Sequence, residues 1–120
     1  MADDGAPITI YHNPNCGTSR TVLEALRDAG HAPRVVEYLK AGWTETQLAD
    51  YFAKMGVTPR QMLRVRGTPA EELGLTDPGV GDAAILTAMV SHPILVERPI
   101  LITRKGVFLC RPASRLEEAL

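Results

Sequence analysis

The spacing of apolar and polar positions changes along the chain, and the changes mark its elements. Residues 8–12, ITIYH, are a short β-branched and aromatic run stopped by Asn13-Pro14, which predicts a strand. Beyond that turn, Val22, Ala25, Leu26 and Ala29 recur on one helical face, and Gly30 suits the C-cap. Residues 34–39, RVVEYL, predict a second strand. Strand, helix and strand within about thirty residues make a βαβ unit with parallel strands.

The period then stays helical. Thr44 and Gln47 have capping-box spacing ahead of Leu48, Tyr51, Phe52 and Met55, with Gly56 closing the helix. Thr58-Pro59-Arg60-Gln61 and Thr68-Pro69-Ala70-Glu71 repeat a helix-start signal, with proline at the first helical position. Ile85, Leu86, Met89 and Val90 predict another helix, ended by His92-Pro93. The middle of the chain therefore reads as a run of short helices. The two-residue period returns in residues 100–103 and 107–110, which flank Arg104-Lys105-Gly106 as in a β-hairpin. Ser114 to Glu117 can cap a last helix carrying Leu116 and Leu120. The order βαβ, helices, ββα, with a cysteine after the first strand, predicts an α/β thioredoxin-like fold. It would hold a central mixed sheet of about four strands and an inserted helical segment, roughly residues 44–92, within a single domain spanning residues 1–120.

Composition narrows the function. A chain of 120 residues, 45% hydrophobic and 22% charged, can bury a core without a staple. A formal net charge of −1 does not favour nucleic acid or an anionic membrane as partner. No signal peptide or spanning apolar run is evident, residues 1–7 read as a polar lead-in, and only Cys16 and Cys110 are present. A cytoplasmic protein with reduced thiols is expected, with monomer as the default state. Ten of the thirteen cations are arginines, which is coding bias or a set of guanidinium forks for an oxyanion.

Cys16 sits in YHNPNCGTSR, where a strand hands over to a helix. A turn of Asn, Pro and Gly is a poor place for an inert core thiol. A dithiol motif is absent because Ser19 occupies the second-cysteine position. Metal binding by His12 and Cys16 lacks a further ligand pair with suitable spacing. That leaves a nucleophile. A free thiol of pKa about 8.5 is roughly 3% ionised at pH 7, and lowering it by two units needs about 2.7 kcal/mol. A helix N-terminus supplies about 0.3–1 kcal/mol, and about 2 in favourable geometry. His12, Asn15, Arg20 and the backbone N–H groups around Gly17 and Thr18 are the nearby candidates for the remainder.

With these residues in view, the chain resembles the glutaredoxin-dependent arsenate reductases of the thioredoxin-like superfamily. The matching stretches are ITIYHNPNCGTSR (8–20), MLRVRGTPAEELGL (62–75), HPILVERPI (92–100) and LCRP (109–112). The resemblance implies Cys16 as nucleophile and His12 as the histidine favouring its thiolate, with Ser19 and Arg20 at the helix start. It further implies Arg64, Arg98 and Arg111 around the oxyanion, and Pro99 as a cis-proline beside the site. It implies arsenate as substrate, glutathione as co-substrate, glutaredoxin as partner, and no bound metal or organic cofactor. Two other readings stand beside it: a thiol reductase of another oxyanion or of a glutathione conjugate, and a non-enzymatic thioredoxin-like regulator binding a partner such as RNA polymerase. Cys110 reads as a core residue ending a strand, with a resolving role as the alternative, and Arg60, Arg66, Arg104 and Arg115 read as solvated charge.

Overall fold

The computed structural model describes residues 7–120, so the polar lead-in lies, Pro7 apart, outside the described residues. These residues divide into two compact units: the N-terminal part up to Tyr38 together with Arg98–Leu120, and Leu39–Glu97.

The first unit carries the sheet. Strands β1 (Thr9–His12) and β2 (Arg34–Glu37) pair in parallel, with Ile10 opposite Val35. Strand β3 (Ile100–Thr103) runs antiparallel to β1, with Leu101 opposite Ile10, and strand β4 (Gly106–Leu109) runs antiparallel to β3. The sheet order is β2-β1-β3-β4. Helix α1 (Gly17–Asp28) connects the parallel pair, as a parallel crossover requires. It buries Val22, Leu23 and Leu26 in a cluster with Ile8, Ile10, Leu101, Cys110 and Ala119. Ala29 is exposed and Leu23 takes the place expected for it, because α1 ends at Asp28 and Ala29 lies in the cap. Gly30 N–H and His31 N–H close the helix on the carbonyls of Arg27 and Leu26.

The second predicted strand is shorter than expected. It stops at Glu37, and Tyr38, 1% exposed, opens a single helical turn, α2 (Tyr38–Ala41). Helix α3 (Glu45–Met55) has the predicted capping box at Thr44 and Gln47 and ends on Gly56 in the left-handed conformation. Helix α4 (Asp82–Ser91) buries Ile85 and Met89. Residues 57–81 form turns rather than the expected short helices. Thr58 and Gln61 do make the reciprocal bonds of a capping box (2.8 and 3.2 Å), but only one turn follows. Leu63 then leaves to bridge Val96, and Gly67 and Gly74, both at φ 73°, reverse the chain. Arg60, read as solvated, instead donates to the carbonyls of Asp77 and Val80 and ties down the 76–81 loop. At the C-terminus Ala113–Arg115 form a 3-10 turn before α5 (Leu116–Ala119). Ala119 is buried rather than Leu120, and Thr103 Oγ1 donates to its carbonyl at 2.8 Å.

Candidate active site

The turn between β1 and α1 is built by its own polar residues. Asn13 Oδ1 accepts from Asn15 N–H at 2.9 Å, and Asn13 C=O accepts from Cys16 N–H at 3.0 Å. Cys16 is the N-cap of α1, with extended backbone (φ −100°, ψ 121°), and its carbonyl accepts the first helical bond from Arg20 N–H. A cysteine gives no side-chain cap. Its sulfur is therefore left beside the helix start, 7% exposed.

Three groups of the same unit converge on that sulfur. Arg111 Nη1 lies 3.7 Å from Cys16 Sγ and also donates to the Arg98 carbonyl at 3.2 Å. Arg98, 8% exposed, and the backbone N–H of Ser19 donate to it as well. Burial by itself pushes the Cys16 thiol up. The Ser19 N–H, the Arg98 and Arg111 side chains and the charge of Arg98 together outweigh it, so the net shift is downward. Arg98-Pro99 is a cis peptide, and so is Arg111-Pro112, which the sequence reading did not anticipate.

His12 reaches the site through Ser19. Its Nδ1 lies 2.7 Å from Ser19 Oγ, which also accepts from Asn13 N–H at 3.0 Å. The Ser19 hydroxyl, with one proton and two lone pairs, can serve Asn13 N–H and either tautomer of the imidazole at once. Burial chiefly holds His12 below its usual range; Glu37 opposes this, and Arg27 and Arg20 add to it. Burial thus favours the neutral imidazole over a cation beside the thiolate. Arg20 is exposed and turns its Nη1 to the Pro14 carbonyl at 2.8 Å, which braces the turn from outside. Gly17, Thr18, Arg20, Thr21, Glu24 and Ala113 line an open cleft of about 520 Å³ along the start of α1.

Arg64 belongs to the other unit. There its N–H donates to the Leu95 carbonyl at 2.8 Å, and its Nη1 meets Glu97 Oε1 at 3.0 Å. Cys110 is fully buried in the core cluster, and burial pushes its thiol up to about 11. Among the described residues no group of three or more His, Cys, Asp or Glu side chains could hold a metal ion, and no helix is long and apolar enough to cross a membrane. Asn13, 3% exposed, is the site residue that sequence reasoning passed over. Its position two residues before Asn15 was the available signal for an Asx turn.

A β1–α1–β2 arrangement joined to β3–β4–α5, with a cysteine at the first strand-to-helix junction whose thiol is held below its usual value, defines a thioredoxin-like α/β protein. Residues 11–119 match the model of the ArsC family, and the chain belongs to that family. It is 57% identical over 107 residues to arsenate reductase ArsI2 of Synechocystis sp., covering 89% of this chain and 76% of that protein. It is 44% identical over 113 residues to the arsenate reductase of Escherichia coli K12, covering 94% and 80%. Among solved structures, arsenate reductase from Vibrio cholerae superposes with a TM-score of 0.89 at 34% identity, covering 96% of this chain and 98% of that one.

Proposed function

We propose that this chain is an arsenate reductase that works through a covalent cysteine–arsenic adduct, with glutathione and glutaredoxin supplying the electrons. One observation carries the reading: a single buried sulfur, lowered in pKa, faces two guanidinium groups. An arsenate oxyanion repels a thiolate. Arg98 and Arg111 offset that repulsion, and their planar N–H forks orient the oxygens. The motif match adds Arg64, carried by the second unit, as a third oxyanion ligand.

The Cys16 thiolate attacks arsenic and an oxygen leaves as water, giving a Cys16–arsenic(V) bond. Glutathione replaces a second oxygen, again with loss of water. The cleft of about 520 Å³ beside the helix start has room for such a tripeptide thiol. A glutaredoxin thiolate then attacks the glutathione sulfur and forms a mixed disulfide. The sulfur–arsenic electron pair stays on arsenic, which becomes arsenic(III). Hydrolysis of the Cys16–arsenic bond releases arsenite and restores the thiol. No step uses Cys110.

The test is arsenate-dependent NADPH oxidation in a system coupled to glutathione, glutaredoxin and glutathione reductase. Turnover that requires all components is expected. Absence of turnover with authentic partners would favour a reductase of another oxyanion or a regulatory protein.

A further inference from the structure

Arg64 and Glu97 lie diagonally across a short antiparallel clip. Arg64 N–H donates to Leu95 C=O (2.8 Å), Glu97 N–H donates to Met62 C=O (2.9 Å), and Leu63 bridges Val96 between them. Thr68 Oγ1 donates to the Arg64 carbonyl at 2.7 Å, so both backbone groups of Arg64 are engaged. The Arg64 and Glu97 side chains are 15% and 23% exposed, and one contact joins them, from Nη1 to Oε1 at 3.0 Å.

That contact is incomplete in an informative way. A carboxylate and a guanidinium usually meet fork to fork, through two parallel bonds. Here Glu97 takes one end of the guanidinium. Nε, on the other edge, is buried and has no hydrogen-bond partner. A buried donor without an acceptor is costly, and native structures satisfy nearly all of them. A pair that served only to fasten the clip would not need this arrangement, because the backbone bonds already fasten it. Nε and Nη2 together form the edge that matches two oxygens of a tetrahedral anion.

We propose that Glu97 is a positioning residue: it clamps Arg64 through Nη1 and so presents the Nε–Nη2 edge to a tetrahedral oxyanion. The proposal rests on the reading of Arg64 as an oxyanion ligand. Glu97 also sets a carboxylate against Arg64, so the arginine works through its geometry and donors as well as its charge.

The experiment measures, in the full chain, the arsenate concentration that halves the rate of Cys16 alkylation, together with KM and kcat for arsenate. Glu97→Ala is expected to raise the half-protecting concentration and KM about tenfold with kcat changed less than about threefold. Glu97→Gln keeps an Oε1 acceptor for Nη1 and is expected to stay within about threefold of wild type. Loss of affinity in Glu97→Ala with recovery in Glu97→Gln supports the clamp, since a general loss of folding would move kcat and KM without that ordering. Should Glu97→Ala fail to fold, Glu97→Asp serves instead: it keeps the charge, withdraws the acceptor by one methylene, and is expected to bind more weakly than Glu97→Gln. Wild-type protection in Glu97→Ala, or in Glu97→Asp where that stands in, while Arg64→Ala loses protection, overturns the proposal. Wild-type protection in Arg64→Ala would instead remove Arg64 from the oxyanion site, and the clamp with it.

Discussion

Cys16 and Cys110 are both nearly closed to solvent, at 7% and 0% exposure, and burial alone raises both thiols. What differs is the company each keeps. Cys16 stands at a helix start, where the Ser19 N–H, Arg98 and Arg111 donate to the sulfur. Cys110 packs among Ile8, Ile10, Val22, Leu26 and Leu101, and its thiol rises to about 11. Low exposure is therefore a poor guide to thiol reactivity. The donors facing the sulfur decide whether a buried cysteine is a nucleophile or a small hydrophobe.

Exchange of the cysteines gives the sharpest break between the two regions. Cys16→Ser is expected to lower arsenate reduction at least about a thousandfold with an unchanged circular dichroism spectrum, because serine cannot supply a thiolate. Cys110→Ala is expected to keep more than about half the activity and to lower stability by about 1 kcal/mol for the atom lost from the core. An inactive but folded Cys110→Ala would point to an internal disulfide route in place of the proposed glutathione step.

Next come the guanidinium groups that set the two sulfurs apart. Arg98→Lys and Arg111→Lys keep a charge but lose the fork. Loss of one charge-assisted hydrogen bond, roughly 1.5–3 kcal/mol, corresponds to about ten- to a hundredfold in kcat/KM. Both variants should also move the alkylation midpoint of Cys16 to higher pH. Wild-type kinetics in both would remove the arginines from the mechanism.

Iodoacetamide titration of the native protein sharpens the comparison directly. Cys16 should reach half its limiting rate below pH 9.0, since its pKa is lowered from that value. Cys110, with a pKa of about 11, is about a thousandth ionised at pH 8 and should react only after unfolding. The same shift has a stability consequence. Between about pH 9.0 and about 11 the unfolded chain releases the Cys110 proton while the folded chain keeps it, so stability falls as pH rises through that window. Cys110→Ala should flatten this alkaline slope in urea melts. A slope equal to that of wild type would place its origin elsewhere.

The smallest effect concerns His12. Its pKa is lowered, so on acidification the unfolded chain takes up a proton first, and stability is lost as pH falls below about 6.5. His12→Ala should reduce that acid-side loss. It should raise the Cys16 alkylation midpoint only slightly, through the freed Ser19 hydroxyl. A large rise would show that the imidazole acts on the sulfur more directly than the 2.7 Å bond to Ser19 indicates.

The sequence by itself determined much of this protein. Period and punctuation located β1, α1, the capped α3 and the β3–β4 hairpin, because these depend on local alternation, caps and turns. The same local logic singled out Cys16, since a thiol in an Asn-Pro-Gly turn at a helix start has little other use. It overreached at residues 57–81, where two helix-start signals yield turns because Leu63 pairs with Val96, more than thirty residues away. It also extended β2 into Tyr38, whose ring is buried instead at the start of a helical turn. The arrangement of the donors belonged to tertiary structure. Arg111 lies 95 positions from Cys16 in the chain and meets it at 3.7 Å because β3 and β4 pair beside β1. His12 pairs with Ser19, and burial disfavours its charged form, which no spacing rule reports. Strand pairing and desolvation act between residues distant in sequence, and they decided which of the two cysteines became acidic.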